Sequence, residues 1–595
     1  MRVAVDEREA RPAASATASP APIRSWSVAI AGSGGAGVMT AGTLLLEAAA
    51  RAGRYGLMVR SSGPQIRGGE AAALVRLASV PVESLDDTFD LLVAIDWRNV
   101  GRFADEIVLA PSSIVVGDAD EGEVPDIFAA SGARSVPLPL KRMAREMPGS
   151  WINMLALGLA GALGRLPLAA LESAVRASWH RGDDALAANL AALSGGYAAA
   201  AGLGGASQPS EATPLAPARG RRWLVSGNEA AGFGAVRGGV RFVAAYPITP
   251  ATELLEWMAP ALAKVGGALV QAEDELASIN MIVGASYGGV PSLTATAGPG
   301  LSLMAEGIGL AVAAEVPVVV VDVMRGGPST GIPAKSEQSD LSFAVGGLHG
   351  DAPRIVVAPT SIADCAATTQ WAVHLAEALQ TPAIVLSDQF LGQARAIIDA
   401  PPLPDGVARR VTAPANDPDY RRYRDTPSGV SPMAIPGTPG TVYTADGLEH
   451  TESGIPSSQG RDHRMQLDKR SRKLASYDYG PRWASVEGSG AYAVIAFGSA
   501  VGPVREALMR VRAAGLDARL VALRLIAPID AAALAHALDG VSRILVVEQN
   551  YGAQLYRYLR AYADLPGRTE SFHRPGPLPL RPGEIVQAIR EWSAR

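Results

Sequence analysis

A chain of 595 residues, 48% hydrophobic and 19% charged, with 64 Gly and 43 Pro, is too long for one core and too apolar for a disordered polymer; at ~150 residues per domain it holds roughly four units. Lys and Arg number 53 against 58 Asp and Glu, a net charge of −5 with no block of like charge, so the footprint expected of a partner for nucleic acid or an anionic membrane is missing. The single cysteine, Cys365, excludes an internal disulfide and any four-cysteine iron–sulfur cluster or zinc site built from this chain alone.

Residues 1–25 are rich in Ala, Pro and Ser, carry Asp6, Glu7 and Glu9, and lack the apolar stretch of a secretory signal; they read as a disordered tail on a cytoplasmic protein. Residues 26–205 read as an α/β domain. An apolar strand at 27–31 leads through glycines into a periodic helix to about 52, strands follow at 72–77 and 91–95, and the apolar stretch 151–166 is helical with Pro167 ending it. Residues 206–222 have no apolar period and form a linker. Between 223 and 399, β-rich runs at 242–245, 268–271, 292–295, 316–323 and 383–386 alternate with helical patterns, the sequence form of a parallel sheet covered on both faces. The most apolar run, 307–323, is broken by Glu315 and Pro317 and falls short of the ~20 residues of a membrane helix. From 400 to 485 the pattern dissolves into Pro, Gly, Asp and Arg; a stretch this long is functional or clamped onto a partner. Periodicity returns over 486–595, with strands at 492–497, 519–523 and 543–547 and helices at 503–514 and 531–538, a small doubly wound domain. The fold class is α/β and multidomain.

Gly32-Ser33-Gly34-Gly35-Ala36-Gly37 matches G-x-G-x-x-G between a strand and a helix, where backbone N–H groups and a helix N-terminus can receive a phosphate. A dinucleotide site also wants an acid at the end of the second strand. There the chain has Arg60 and then Ser61-Ser62-Gly63-Pro64, which disfavours NAD and leaves two alternatives: an NADP 2′-phosphate on Arg60, or glycines that only let the helix pack close. Arg67-Gly68-Gly69-Glu70 suits an anionic group or a tight turn.

Tyr246-Pro247-Ile248-Thr249-Pro250 follows the run 242–245, and its prolines hold the Thr249 hydroxyl at the C-terminal edge of the sheet, where open α/β sheets bind ligands. Spacing alone favours a plainer helix-entry turn with Thr252 as N-cap. Glu273-Asp274-Glu275 opens a helix that runs through Gly289. Acids there complement the helix dipole, but Gly284, Ala285 and Gly288 make this helix thin enough to approach another chain or a cofactor, and a carboxylate at its mouth can share a proton with a heterocyclic nitrogen. Residues 294–300 and 325–331 supply two more strand ends. One such edge is ordinary, whereas four on one rim argue for a site. Arg325 can grip a carboxylate bidentately; Lys335 lies ten residues further on, with Glu337 near enough to neutralise it.

Together these segments resemble the α subunit of 2-oxoacid:ferredoxin oxidoreductases, most closely the 2-oxoglutarate enzymes, in the form with the small γ subunit fused at the N-terminus. The carrying residues are 32–40 and 62–70, then Gly227-Asn228-Glu229-Ala230, 246–250, 271–289, 298–300, 325–341, Tyr420-Arg421-Arg422-Tyr423, Gly429-Val430-Ser431-Pro432, Glu449-His450, Lys469-Arg470 and Val547-Glu548-Gln549-Asn550-Tyr551-Gly552. The resemblance implies a γ-type domain, a pyrimidine-binding domain for thiamine diphosphate and a transketolase-C-like C-terminal domain. It implies oxidative decarboxylation of 2-oxoglutarate to succinyl-CoA, coenzyme A as co-substrate, and ferredoxin as electron acceptor. The diphosphate, its Mg²⁺ and a [4Fe-4S] cluster would belong to a partner β subunit, in keeping with one cysteine and no Gly-Asp-Gly metal motif here.

By the same resemblance Glu275 bonds the pyrimidine N1′, with Ile248 beside the cofactor. Thr249 and Arg325 hold the oxo and carboxylate region of the substrate, and Lys335 is the candidate for the distal carboxylate; Ala334, where relatives commonly carry Thr, is a departure in that subsite. Gly32, Gly34, Gly35 and Gly37 with Arg67 are expected to face the coenzyme A path. The competing readings are the same chemistry on pyruvate or a branched or aryl oxoacid, an NADP-dependent dehydrogenase, and a non-catalytic scaffold.

Overall fold

The computed structural model describes residues 23–63, 69–98, 100–203, 221–402, 406–407 and 409–595. Most of the expected tail and linker, and Arg67, lie outside the described residues. In the N-terminal domain β1 (Ser25–Gly32), β2 (Tyr55–Ser62), β3 (Ala71–Ala78), β4 (Phe89–Ala94), β5 (Leu109–Asp118) and β6 (Arg134–Leu138) take the order β6-β5-β4-β1-β3-β2. β1, β4, β5 and β6 are parallel, and β3 runs antiparallel between β1 and β2. The edge that carries the end of β1 therefore also carries the ends of β2 and β4.

The central domain contributes β7 (Arg222–Ser226), β8 (Phe242–Ala245), β9 (Ala268–Gln271), β10 (Ser292–Thr296), β11 (Val319–Met324), β12 (Ile355–Val357), β13 (Ala383–Asp388) and β14 (Arg395–Asp399). Six of these form the expected parallel sheet, in the order β12-β13-β11-β10-β8-β9. β11 is buried along its whole length, which is why it reads as a run of valines rather than an alternation. β7 and β14 do not join this sheet. They add to the N-terminal one, with β14 antiparallel to β2 and β7 antiparallel to β14. The boundary expected at 223 is thus crossed by a continuous ladder of backbone hydrogen bonds.

The C-terminal domain holds β15 (Ala484–Glu487), β16 (Tyr492–Phe497), β17 (Ala518–Leu523), β18 (Leu525–Ala527), β19 (Arg543–Glu548) and β20 (Arg568–His573), in the order β15-β17-β16-β19-β20. β18 leaves that sheet and pairs antiparallel with β12. Each neighbour of the central domain therefore shares a sheet with it.

The stretch Asp183–Leu203 is long and apolar enough to cross a membrane by length and composition. Its helix lies against the helix Ile152–Leu163 at a separation only glycine permits: a Cβ on Gly158 would stand 2.0 Å from the Leu193 carbonyl oxygen, and one on Gly196 would stand 2.1 Å from that of Leu155.

The segment 400–485 is clamped onto its own central domain, where the sequence left a partner as one alternative. It contains a 16-residue helix, Gly460–Ala475, whose side chains are too polar for hydropathy to mark. Lys469 and Lys473, both on this helix, converge on Glu315, which is wholly buried at the end of the helix Ala305–Ala313. The Lys473 ammonium donates at 2.9 Å and also caps the Gln380 carbonyl at 2.8 Å, while Arg422 donates to the Glu315 carbonyl at 2.7 Å. Burial pushes the Glu315 carboxyl up, but Lys473, Lys469 and Arg422 outweigh it and hold it well below the usual carboxylate range. A second buried pair joins Arg410 to both oxygens of Glu377 at 2.9 and 2.6 Å.

Removing one member of a buried ionic set leaves the others uncompensated, at a cost of ~3–5 kcal/mol. Glu315→Gln is therefore expected to lower the unfolding midpoint and to open 400–485 to protease before the sheets. Because the native carboxyl is depressed, this stabilisation is present above the ordinary glutamate range and is lost as pH falls below it. Urea melts of both proteins with limited proteolysis check this; coincident midpoints and cleavage patterns would refute it.

Candidate active site

β11, β10, β8 and β9 are neighbours and parallel, so the four strand ends picked out in the sequence stand side by side on one edge. Past β9, Asp274 caps the helix Glu275–Tyr287 by accepting a hydrogen bond from Ala277 N at 2.7 Å. Glu275 is the first helical residue and is 6% exposed. Past β10, the helix Gly298–Leu303 comes down on it: a Cβ on Gly300 would lie 2.1 Å from Thr296 Oγ1 and 2.6 Å from Glu275 Oε1. Glycine at 300 lets this helix close on the carboxylate, where any other residue would push it away. On the outer side of the Glu275 helix a Cβ on Gly284 would meet open space, in keeping with the thin face expected there. Leu276 and Met281 on this helix, and Leu303 on the next, are 50%, 42% and 50% exposed.

Past β8, Ile248 accepts backbone hydrogen bonds from Ala251 and Thr252, turning the chain into the helix Thr252–Ala263. Thr252 is the first helical residue, preceded by Ala251 without a side-chain cap, so the plainer capping role is not the one Thr252 takes. Past β11, Arg325 is buried; its Nη1 donates to the Thr249 carbonyl oxygen at 2.5 Å and its Nε has no partner. Arg325 opens a cleft of about 970 Å³ lined also by Gly298, Pro299, Glu337, Asp340, Phe343 and Tyr551. Burial and Glu337 push the Asp340 carboxyl up to about 7 against the pull of Arg325, and burial raises Glu337. Asp322, inside β11, is fully buried with neither carboxylate oxygen partnered, and burial with Asp340 nearby raises it well above its ordinary value.

Thr249 and Arg325 are therefore brought into contact, and Glu275 stands on the same rim. Lys335 is not in the cleft. Its Nζ donates to Ser61 Oγ of the N-terminal domain at 2.8 Å and pairs with Glu106; Glu337, the neutraliser suggested by sequence, faces the cleft instead.

The glycine turn stands at the end of β1. Gly35 and Gly37 have φ of 88° and 78°, Gly37 starts the helix Val38–Arg51, and Gly32 and Gly34 complete the loop. Asp96, past β4, holds the turn by accepting from Ser33 N at 3.0 Å and Ser33 Oγ at 2.6 Å. Ser61, which binds Lys335, lies at this same sheet edge. Arg60 is paired with Glu253, so the cation that kept NADP in view is engaged.

Asp322, Asp340 and the contact in which Gln338 N donates to the Gln549 carbonyl at 2.7 Å were missed by sequence reasoning. For Asp322 a signal exists: a carboxylate inside a valine strand buried on both faces has to serve something. The distant hydrogen bonds of Gln338 leave no such mark.

Comparison with known proteins gives a consistent result. Residues 233–469 match the family "Pyruvate flavodoxin/ferredoxin oxidoreductase, thiamine diP-bdg". Residues 27–199 match "Pyruvate ferredoxin/flavodoxin oxidoreductase", and residues 491–566 match "Pyruvate:ferredoxin oxidoreductase core domain II". The chain is 33% identical to 2-oxoacid:ferredoxin oxidoreductase 2, subunit alpha, of Aeropyrum pernix over 77% of this chain and 76% of that one. It is 34% identical to 2-oxoglutarate synthase subunit KorA of Methanothermobacter marburgensis over 62% of this chain and 98% of that one. The structure of 2-oxoglutarate:ferredoxin oxidoreductase from Magnetococcus marinus, with 2-oxoglutarate, coenzyme A and succinyl-CoA bound, superposes with a TM-score of 0.88 at 36% identity, covering 96% of this chain and 99% of that one.

The seat of Glu275 makes a prediction about packing. Gly300→Ala forces a methyl into filled space and is expected to cost ~1–3 kcal/mol, whereas Gly284→Ala, with open space around it in a helix, is expected to stabilise by ~0.5–1 kcal/mol. Melting curves of the two variants check this; equal shifts would mean that the contact at Gly300 is loose.

Proposed function

The chain belongs to the 2-oxoacid:ferredoxin oxidoreductase family, as an α subunit with the γ-type domain at its N-terminus, and from that premise we propose that it forms the pyrimidine-facing half of a thiamine-diphosphate site that converts 2-oxoglutarate and coenzyme A to succinyl-CoA and passes electrons to ferredoxin. The observation that carries this reading is the rim itself: a buried carboxylate on which Gly300 packs, and on the same sheet edge an arginine whose Nε has no partner. Thiamine diphosphate, when bound, supplies the carbanion that adds to a 2-oxo carbon.

The residues of this chain do the rest. Glu275 would hold a proton at the pyrimidine N1′, the work of a positioned acid–base group, and Ile248, in the turn past the neighbouring strand, would help hold the ring. Arg325 binds the oxoacid's carboxylate, with Thr249 fixed against it. Gly32, Gly34, Gly35 and Gly37 face the coenzyme A path; they stand on the sheet edge that meets the substrate loop through Ser61 and Lys335. Lys335 docks that loop. The choice of 2-oxoglutarate therefore rests on the relatives, not on Lys335, and pyruvate or a branched or aryl oxoacid is the second reading.

A β subunit supplies the diphosphate and Mg²⁺ site and the [4Fe-4S] cluster, for which this chain's one cysteine, buried Cys365, is no use. It docks on the face that exposes Leu276, Met281 and Leu303.

Three outcomes are expected. The chain alone, given thiamine diphosphate, Mg²⁺, coenzyme A and oxoacid, reduces no dye, and turnover appears on adding the β partner; robust activity alone would sink the half-site reading. In the assembled enzyme Glu275→Gln lowers kcat by ~10²–10⁴-fold with assembly intact, and near-native kcat would remove Glu275 from the chemistry. 2-Oxoglutarate exceeds pyruvate in kcat/KM; the reverse order would reject the substrate while leaving the family untouched.

A further inference from the structure

Arg325 and Asp340 face the same cleft with complementary atoms unspent. The guanidinium gives Nη1 to the Thr249 carbonyl and keeps a buried, unpartnered Nε; Asp340 keeps a buried, unpartnered Oδ2. Asp340 is held in place by close packing, because a Cβ on Gly298 would stand 2.6 Å from both of its carboxylate oxygens, and its loop is fixed by Ser339 Oγ donating to the Arg325 carbonyl at 3.3 Å.

We propose that Asp340 makes oxoacid binding proton-linked: ionised, it repels the carboxylate entering the cleft it shares with Arg325; protonated, it lets that carboxylate in and can donate to it. The proton comes from solvent as the oxoacid enters and returns on release, so no bond of the substrate is involved. This inference rests on Arg325 as the carboxylate ligand and names what tunes it.

The charged neighbours of Asp340 agree with this assignment. From β11, Asp322 is fully buried and its carboxylate oxygens lack any hydrogen-bond partner, and burial with Asp340 nearby raises it well above its ordinary value. Arg325 is the cation at the end of that strand. Glu337, on the same loop, shares the cleft and disfavours a second negative charge. Lys335, also on this loop, is spent on Glu106, and across the cleft the C-terminal domain presents Tyr551. With burial this set brings Asp340 to about 7, where a proton is exchanged near neutrality. A bound anion raises it further, and by reciprocity protonation strengthens anion binding.

The experiment is the pH dependence of kcat/KM for 2-oxoglutarate in the assembled enzyme, which reports the ionisations of the free enzyme. Wild type is expected to lose about tenfold per pH unit above a break near 7. Asp340→Asn is expected to abolish that limb and keep the low-pH plateau into the alkaline range, with the change confined to KM, and Asp340→Glu is expected to restore a limb. The same break in the Asn variant, or none in wild type, overturns the proposal. Should Asp340→Asn fail to assemble, the wild-type Ki of glutarate, which has the carboxylates without the reacting oxo group, decides: about a tenfold rise from pH 6 to pH 8 supports it, and a flat Ki overturns it. Arg325→Lys separates the two readings. If it leaves kcat/KM intact, the carboxylate role of Arg325 fails; if it lowers kcat/KM while Asp340→Asn keeps the limb, only the proton linkage fails.

Discussion

The reciprocal hydrogen bonds between Gln338 and Gln549 fix the part of the molecule on which the rim depends. Gln338 N donates to the Gln549 carbonyl at 2.7 Å, and Gln549 N donates to Gln338 Oε1 at 2.9 Å. The two side-chain amides then reach outward, Gln338 to the Phe497 carbonyl at 2.8 Å and Gln549 to that of Ser336 at 3.1 Å, while Asn550 donates to the Gln338 carbonyl at 3.2 Å. Gln338, Gln549 and Asn550 are all buried. Each bond is worth ~0.5–1.5 kcal/mol made, but ~1–3 kcal/mol is lost where a buried group is left unmatched, so one register of the loop 325–340 against the C-terminal domain is far below its neighbours. The stretch 547–552, marked in the sequence without a role, is the clamp that aims Arg325 and Asp340.

The N-terminal domain closes a ring around that loop. Lys335 binds Ser61 and Glu106, Arg60 pairs with Glu253 on the helix that follows Thr249, and Arg76 reaches both oxygens of Glu506 in the C-terminal domain at 2.7 and 2.9 Å with almost no exposure. Domains joined by ordinary surfaces move relative to one another; shared strands and a buried bidentate pair oppose such motion. The distance from the glycine turn to the rim is thus set by the fold rather than by a hinge.

Much of this could be read in the sequence. Most strands with apolar runs and the order of the four rim segments follow from local pattern plus the rule that α/β sites form at strand ends, although β5 and β12 were not picked out; the joint role of Thr249 and Arg325 came from the family resemblance. What escaped is what local pattern does not encode. β7, β14 and β18 are strands by local geometry, but the sheet each joins is decided by tertiary pairing. The helix Gly460–Ala475 buries Lys469, Arg470 and Lys473, so its inward face looks like an outward one. Lys335 was assigned by distance along the chain, whereas its partners lie in another domain. The glycine turn was legible as a turn; that Asp96 holds it was not, because the acid follows the neighbouring strand β4 rather than ending the second.

The exposed side of the Glu275 helix bears on why the acid is placed there. Leu276, Met281 and Leu303 are apolar surface that a second chain can cover at ~1.5–3 kcal/mol for each side chain fully buried, and they flank the strand ends that carry Glu275, Thr249 and Arg325. On the proposed reading, a partner that lands on this face strips water from the rim in the same event that brings its own half of the cofactor site. The charge interactions at the rim then act in a drier medium, where they count for more. The polar groups left unmatched in this chain, Arg325 Nε and Asp340 Oδ2, are costly in such surroundings unless something arrives to use them. A substrate carboxylate with one added proton meets both.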